Sequence, residues 1–264
     1  MASFVDKLTP EQKKRASLIA SELKKLGIKN PYLISGILAV VSKESNFNRL
    51  KELSYSNTDN GRIKAIFGSR VANYSDAQLT ALKKDDNKFF EAVYGGAFGL
   101  KNFNNSKAGD GAKYKGRGYN QITGKVNYEK VGKQIGVDLV LHPELLETPE
   151  VAAKGIAAYY KLNLDALVKS GKFESRYLIQ NPDKINSASQ GVNVAYDINA
   201  GNSKQRLTDS TGGYATATAR VNEFVNNLSD FVITNPIKTG GGILLIGLLG
   251  AGIYYLSKGT LPKI

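Results

Sequence analysis

The chain of 264 residues contains no cysteine and a single histidine, His142. The first absence excludes disulfides and thiolate metal sites; the second excludes a metal site built on several imidazoles. His142 precedes Pro143 and reads as a loop residue. Acidic side chains are also few, 23 Asp and Glu against 36 Lys and Arg, for a formal net charge of +13. Such an excess favours an acidic partner: nucleic acid, anionic lipid and an anionic bacterial wall all qualify. The lysines are scattered rather than gathered into one run, as on an ordinary solvated surface, and no nucleic-acid-binding motif is present. The first residues, MASFVDKLTPEQKK, lack the apolar core of a secretory signal peptide. Any hydrolytic chemistry would have to rest on carboxylates.

What is present is mostly helical signal. Thr9-Pro10-Glu11-Gln12 reads as a capped helix start, with proline at the first helical position and Gln12 closing a capping box. Ile19, Leu23 and Leu26 supply its apolar stripe, and Gly27 stops it. Asn30-Pro31 opens a second helix whose apolar residues run from Leu33 to Val41. Ser75-Asp76-Ala77-Gln78 is a second capping box. Val126, Val131 and Ile135 mark a helix stopped by Gly136, Thr148-Pro149-Glu150 starts another, and a last one spans about 214–228. Strand signals are weak throughout.

The most unusual stretch is residues 109–128, GDGAKYKGRGYNQITGKVNY. Its glycines permit close backbone approach, its tyrosines offer flat faces, and Asn120, Gln121 and Asn127 offer paired donors and acceptors. These suit a groove for a polar, ring-shaped polymer such as a sugar chain; a Gly-rich surface loop has the same composition. A dinucleotide-binding reading fails, because no hydrophobic strand precedes the glycines.

In the second helix, positions 37, 41 and 44 share one face. Glu44 therefore falls on the continuation of an apolar stripe. A carboxyl there is either partly desolvated, which favours the protonated form a general acid requires, or the first polar residue past the core, swung into solvent.

Tyr114, Lys115, Gly116, Arg117, Gly118, Gln121, Ile122, Thr123, Asn127 and Tyr128 together resemble the cleft signature of family 19 glycoside hydrolases, the chitinases and related endolysins, with Lys115 in place of the usual arginine. The resemblance extends over roughly 10–228. In VSKESNFNRLKELSYS, Glu44 and Ser45 match the segment carrying the general acid, with Lys43 for histidine, and Glu52, ahead of Tyr55-Ser56, matches the second carboxylate after small deletions. Tyr94-Gly95-Gly96 is similar to another family motif, from which Ala97 and Leu100 depart; Asp197-Ile198-Asn199-Ala200-Gly201 is similar to a third.

The resemblance implies a mainly α, lysozyme-like fold and hydrolysis of glycosidic bonds with inversion, using two carboxylates and no cofactor or metal. Glu44 would be the acid, Glu52 the base and Thr123 a holder of the attacking water, while Tyr114, Arg117, Gln121, Asn127 and Asn199 would bind sugar. The expected domain is 1–231, followed by a linker at 232–239. Residues 240–257 are apolar and uncharged, at the short edge of what spans a bilayer, with Tyr254 and Tyr255 at one end and a short basic tail at 258–264. The expectation is therefore a single-pass, membrane-anchored enzyme acting on peptidoglycan. Its source would be a bacterial virus, its place the virion inner membrane or the host membrane, and its further partners other virion membrane or capsid proteins; no nucleic acid is expected. Two alternatives stand beside this one: a chitinase, or a non-catalytic glycan-binding structural protein of the virion membrane.

Overall fold

The computed structural model describes residues 3–200 and 212–231. Thirteen α-helices are formed in this portion: α1 Pro10–Lys25, α2 Pro31–Ser45, α3 Asn60–Phe67, α4 Asp76–Leu82, α5 Asp86–Tyr94, α6 Gly96–Phe103, α7 Asp110–Lys113, α8 Lys125–Ile135, α9 Pro149–Lys169, α10 Lys172–Tyr177, α11 Ala188–Ala200, α12 Gly213–Asn226 and α13 Leu228–Phe231. Local chemistry sets their ends. Thr9 and Gln12 form the reciprocal capping box of α1, Ser75 and Gln78 that of α4, and the Asn30 side chain accepts from the N–H groups of Tyr32 and Leu33 at the start of α2. Gly136, at φ +70°, ends α8 in the left-handed conformation that costs glycine nothing. Asn227 divides the expected last helix into α12 and α13.

Three apolar clusters fill the interior. The largest joins α1, α2, α9, α11 and α12 through residues such as Leu23, Ile37, Val41, Ile156, Val192 and Phe224, and Phe231 of α13 closes it. A second, under α3 to α5, is built on Ile63, Phe67, Leu79, Phe89, Phe90 and Val93. The third packs Tyr114, Ile122 and Tyr128 against Val131, Leu139 and Leu146. Each collects apolar surface that contributes roughly 25 cal/mol per Å² removed from water. Among the described residues there is no β-strand; two isolated antiparallel bridges, Lys51 with Arg117 and Arg117 with Ile122, are all the extended pairing.

At the centre of the largest cluster α2 and α11 touch backbone to backbone. An added Cβ on Gly36 would lie 2.5 Å from the carbonyl carbon of Gly191, and one on Gly191 would lie 2.1 Å from the Tyr32 carbonyl oxygen. The Asn30 side chain ties the start of α2 to the approach to α11, donating to the carbonyls of Ile185 at 2.7 Å and Asp183 at 3.2 Å. The two helices thus run side by side from a common end, which brings Glu44 and Asn199, near their C-termini, to the same opposite end. Among the described residues no helix is long and apolar enough to cross a membrane; the expected span at 240–257 and the linker before it lie outside the described residues.

The Gly36–Gly191 contact makes a direct prediction. Gly36→Ala cannot be accommodated without pushing backbone from backbone, and overpacking of this kind typically costs about 1–3 kcal/mol. Thermal unfolding of the variant should show a Tm lower by about 3–10 °C.

Candidate active site

The second and third clusters flank the side chain of Glu52. The segment that follows α2 runs in extended form against residues 116–118: Gly118 N–H donates to Leu50 O at 2.8 Å and Glu52 N–H donates to Gly116 O at 2.9 Å. Residues 117 and 122 in turn exchange hydrogen bonds of 3.1 and 2.7 Å, closing a four-residue loop in which Gly118 and Gln121 both take positive φ, +74° and 55°. Gly118 adopts that geometry freely; at Gln121 the surrounding structure must impose it. The effect is to lay Glu52, Gly116, Gln121 and Thr123 side by side.

The Glu52 carboxylate accepts from Tyr94 Oη at 2.7 Å and from the Gly116 N–H at 2.9 Å, with Tyr55 Oη further off at 3.4 Å. Tyr55 and Tyr94 belong to the second cluster and Gly116 to the chain around the third, so the carboxylate is held from both sides of the cleft. Burial raises its pKa above the ordinary glutamate value, while the donors from Tyr94, Gly116 and Tyr55 and the charge of Lys115 pull it back down. Burial also pushes the Tyr55 phenol up to about 12 and Tyr94 further still, with the Glu52 charge adding to both. Both phenols therefore stay protonated as donors. A side chain at Gly116 would be tight: an added Cβ would be 3.0 Å from Glu52 Oε2 and 3.0 Å from Gln121 Oε1.

A cavity of about 300 Å³ opens in front of Glu52, lined also by Arg49, Tyr55, Tyr94, Gln121 and Thr123. Thr123 Oγ1 donates to Gln121 O at 2.8 Å, leaving its oxygen lone pairs free to accept from a water or a sugar hydroxyl. Of the expected site residues, Glu52, Gln121 and Thr123 are thus brought together.

The others stand elsewhere. Glu44 is half-buried in the last turn of α2, its Oε1 3.0 Å from Lys43 Nζ. The buried face of the helix continues through Ser42 and Ser45 rather than through Glu44, so the expected stripe ends at Val41. Glu44 is joined to the cavity through Arg49, whose Nη2 donates to its carbonyl oxygen at 2.6 Å. Asn199 is half-buried on α11, and Asn127 spends an amide hydrogen on Thr123 O at 2.7 Å; neither lines the cavity.

Tyr114 and Arg117, expected to bind sugar, are placed behind the loop. The Tyr114 ring is buried against Tyr128, its hydroxyl donating to Val140 O at 3.1 Å. Arg117 is buried and committed to Glu147 (2.8 Å), Lys113 O (2.7 Å) and the Tyr128 hydroxyl (3.1 Å). Both shape the loop from behind. A small loop must bury something to hold its form, and these aromatics and this guanidinium are what it buries. Conversely, Arg49, Tyr55 and Tyr94 belong to the site but were not expected there. Tyr55 follows the second carboxylate by three positions and Tyr94 opens the Tyr-Gly-Gly motif, so the signal was present but gave no orientation.

The profile of the family described as chitinase class I, glycoside hydrolase family 19, matches residues 99–172. The matched segment includes Gln121 and Thr123 and the buried Tyr114 and Arg117, and leaves Glu44, Glu52 and Asn199 outside it. No match to a curated protein was found.

If Glu52 acts ionised, activity falls as pH drops through its raised pKa. Removing the Tyr94 donor takes away a contact that lowers that pKa. The acidic limb of kcat/KM against pH should therefore lie at higher pH in Tyr94→Phe than in the parent chain, the alkaline limb being unmoved.

Proposed function

We propose that this chitinase-like glycoside hydrolase cleaves the glycan strands of bacterial peptidoglycan with inversion, and that it does so from a membrane held by residues 240–257. The observation that carries the hydrolytic part is the Glu52 carboxylate, half-buried, supplied with hydrogen bonds only as an acceptor, and facing an open cavity beside Thr123. Such a group is a base: its donors favour the ionised form, while burial leaves it more basic than an exposed glutamate.

In this reading Glu52 takes a proton from a water that Thr123 helps to hold, and that water attacks the anomeric carbon. Glu44 gives its proton to the departing glycosidic oxygen on the opposite face of the sugar. Lys43 must swing away from Glu44 Oε1 as the glycosidic oxygen takes its place. Gln121 offers its amide to sugar hydroxyl or N-acetyl groups. Asn127 and Asn199 would join only where the strand extends beyond the cavity. The net charge of +13 suits an anionic wall better than neutral chitin. A chitin substrate is the second reading, favoured by the description of the matched family.

Two experiments test this. In the first, purified peptidoglycan and a chitin oligosaccharide are digested, with new reducing ends identified by mass spectrometry and the anomer by NMR. Glu44→Gln and Glu52→Gln should each lower turnover by about 10²–10⁴-fold with the helical circular dichroism unchanged. Near-normal turnover in Glu44→Gln would remove it from the acid role, and retention of the anomeric configuration would remove the inverting mechanism.

In the second, the full chain and a chain ending at residue 231 are mixed with liposomes. Residues 240–257 as a helix would be about 27 Å long, close to the hydrocarbon thickness, with no charged side chain to bury. The full chain should float with the vesicles and the shortened one should not. A virion or host membrane as the site of action would make the enzyme a wall-opening device in genome entry or lysis.

A further inference from the structure

Next to the Glu52 cavity lies a second groove, of about 570 Å³, that the hydrolytic chemistry does not use. Arg49 and Leu53 line both, so the two are continuous. The groove is cationic: Arg15, Arg49 and Lys51 all line it, with Arg15 Nε paired to Glu11 at 3.1 Å. The acid on its wall, Glu147, has Oε1 taken by Arg117 Nε at 2.8 Å. Among the described residues Lys51 is exposed and makes no ion pair, and Arg49 Nε is buried without a protein partner.

The remaining lining is apolar. Leu53 is 60 % exposed, and Leu50 and Pro149 stand with it to form an apolar wall. A uniform polyanion would use the cations and waste the leucines. A short acidic peptide with small side chains uses both.

We infer that this groove binds the peptide stem carried by the muramic acid sugar at the cleavage site. The carboxylates of the stem face Arg49 and Lys51, and its alanyl methyl groups lie on Leu50, Leu53 and Pro149. The inference rests on the peptidoglycan reading above, since chitin bears no such substituent. Arg49 is then a specificity residue as well as the link between Glu44 and the cavity. Its planar guanidinium holds the Glu44 carbonyl through Nη2 while lining the groove, a placement that a lysine cannot reproduce.

The test uses the full chain in detergent and three substrates: peptidoglycan with its stems, the same glycan stripped of stems by an amidase, and a chitin oligosaccharide. Lys51→Glu should raise KM on stem-bearing glycan about fivefold, the scale of an exposed charge contact, with kcat unchanged and the other two substrates within about twofold. Added salt should raise the parent's KM on stem-bearing glycan and affect the variant less. Arg49→Lys should lose the preference for stem-bearing over stripped glycan, read as the ratio of the two KM values. Calorimetric titration needs no turnover: muramyl dipeptide should bind the parent chain more tightly than chitobiose, and Lys51→Glu should remove the difference.

Equal changes on all substrates in Lys51→Glu, no change on any, or muramyl dipeptide binding no tighter than chitobiose would overturn the assignment. If the parent chain cleaves stripped and stem-bearing glycan with equal KM, peptidoglycan remains its substrate and the groove assignment alone fails. If it cleaves chitin oligosaccharide and neither glycan, both readings fail together.

Discussion

A carboxylate taken out of water must be met by donors, or it holds a proton instead. At Glu52 the donors come from parts of the chain that share no local structure: Tyr94 at the end of α5, Tyr55 in the segment before α3, and the backbone of Gly116 in the glycine-rich loop. Each must be placed to within a few tenths of an ångström for the contacts to form. Much of the fold can be read as the means of placing them. The second cluster fixes the two tyrosines, the third fixes the loop, and the bridge between residues 50–52 and 116–118 locks the carboxylate between them.

The same constraint explains why the loop is built as it is. A side chain at Gly116 would crowd the carboxylate against Gln121. Arg117 and Tyr128 are buried behind it, bonded to each other and to the carbonyls of Lys113 and Lys115, so the backbone that presents the Gly116 N–H is anchored at several points. The loop meets Glu52 with a backbone donor, and the conspicuous side chains of the motif support that backbone. The chitinase-like segment at residues 99–172 is in this sense largely a scaffold, delivering Gln121 and Thr123 to a carboxylate that lies outside it.

Glu44 belongs to a different part of the machine. It stands at the end of α2, whose position is set by the Gly36–Gly191 contact and by the Asn30 side chain, and whose neighbour α11 carries Asn199 to the same end. Arg49 is the covalent and hydrogen-bonded hinge between this unit and the Glu52 cavity. The cationic groove continuous with that cavity gathers Arg15, Arg49 and Lys51 beside it.

Much of this was legible in the residues themselves. Capping boxes at Thr9 and Ser75, proline at helix starts and glycine at helix ends depend on neighbours three or four positions away, so the helices could be read along the chain. So could the hydrolytic class, because a long motif with fixed spacing is a local object. What only the tertiary structure decided was which side chains line the cavity in front of Glu52. Tyr114 and Arg117 look like ligands in the sequence and are core; Tyr55, Tyr94 and Arg49 look ordinary and line the cavity. Burial depends on contacts between residues as far apart as Glu52 and Gly116, and no periodicity within either segment records them. The proton affinity of Glu52 is decided the same way, by water excluded and donors supplied from across the fold.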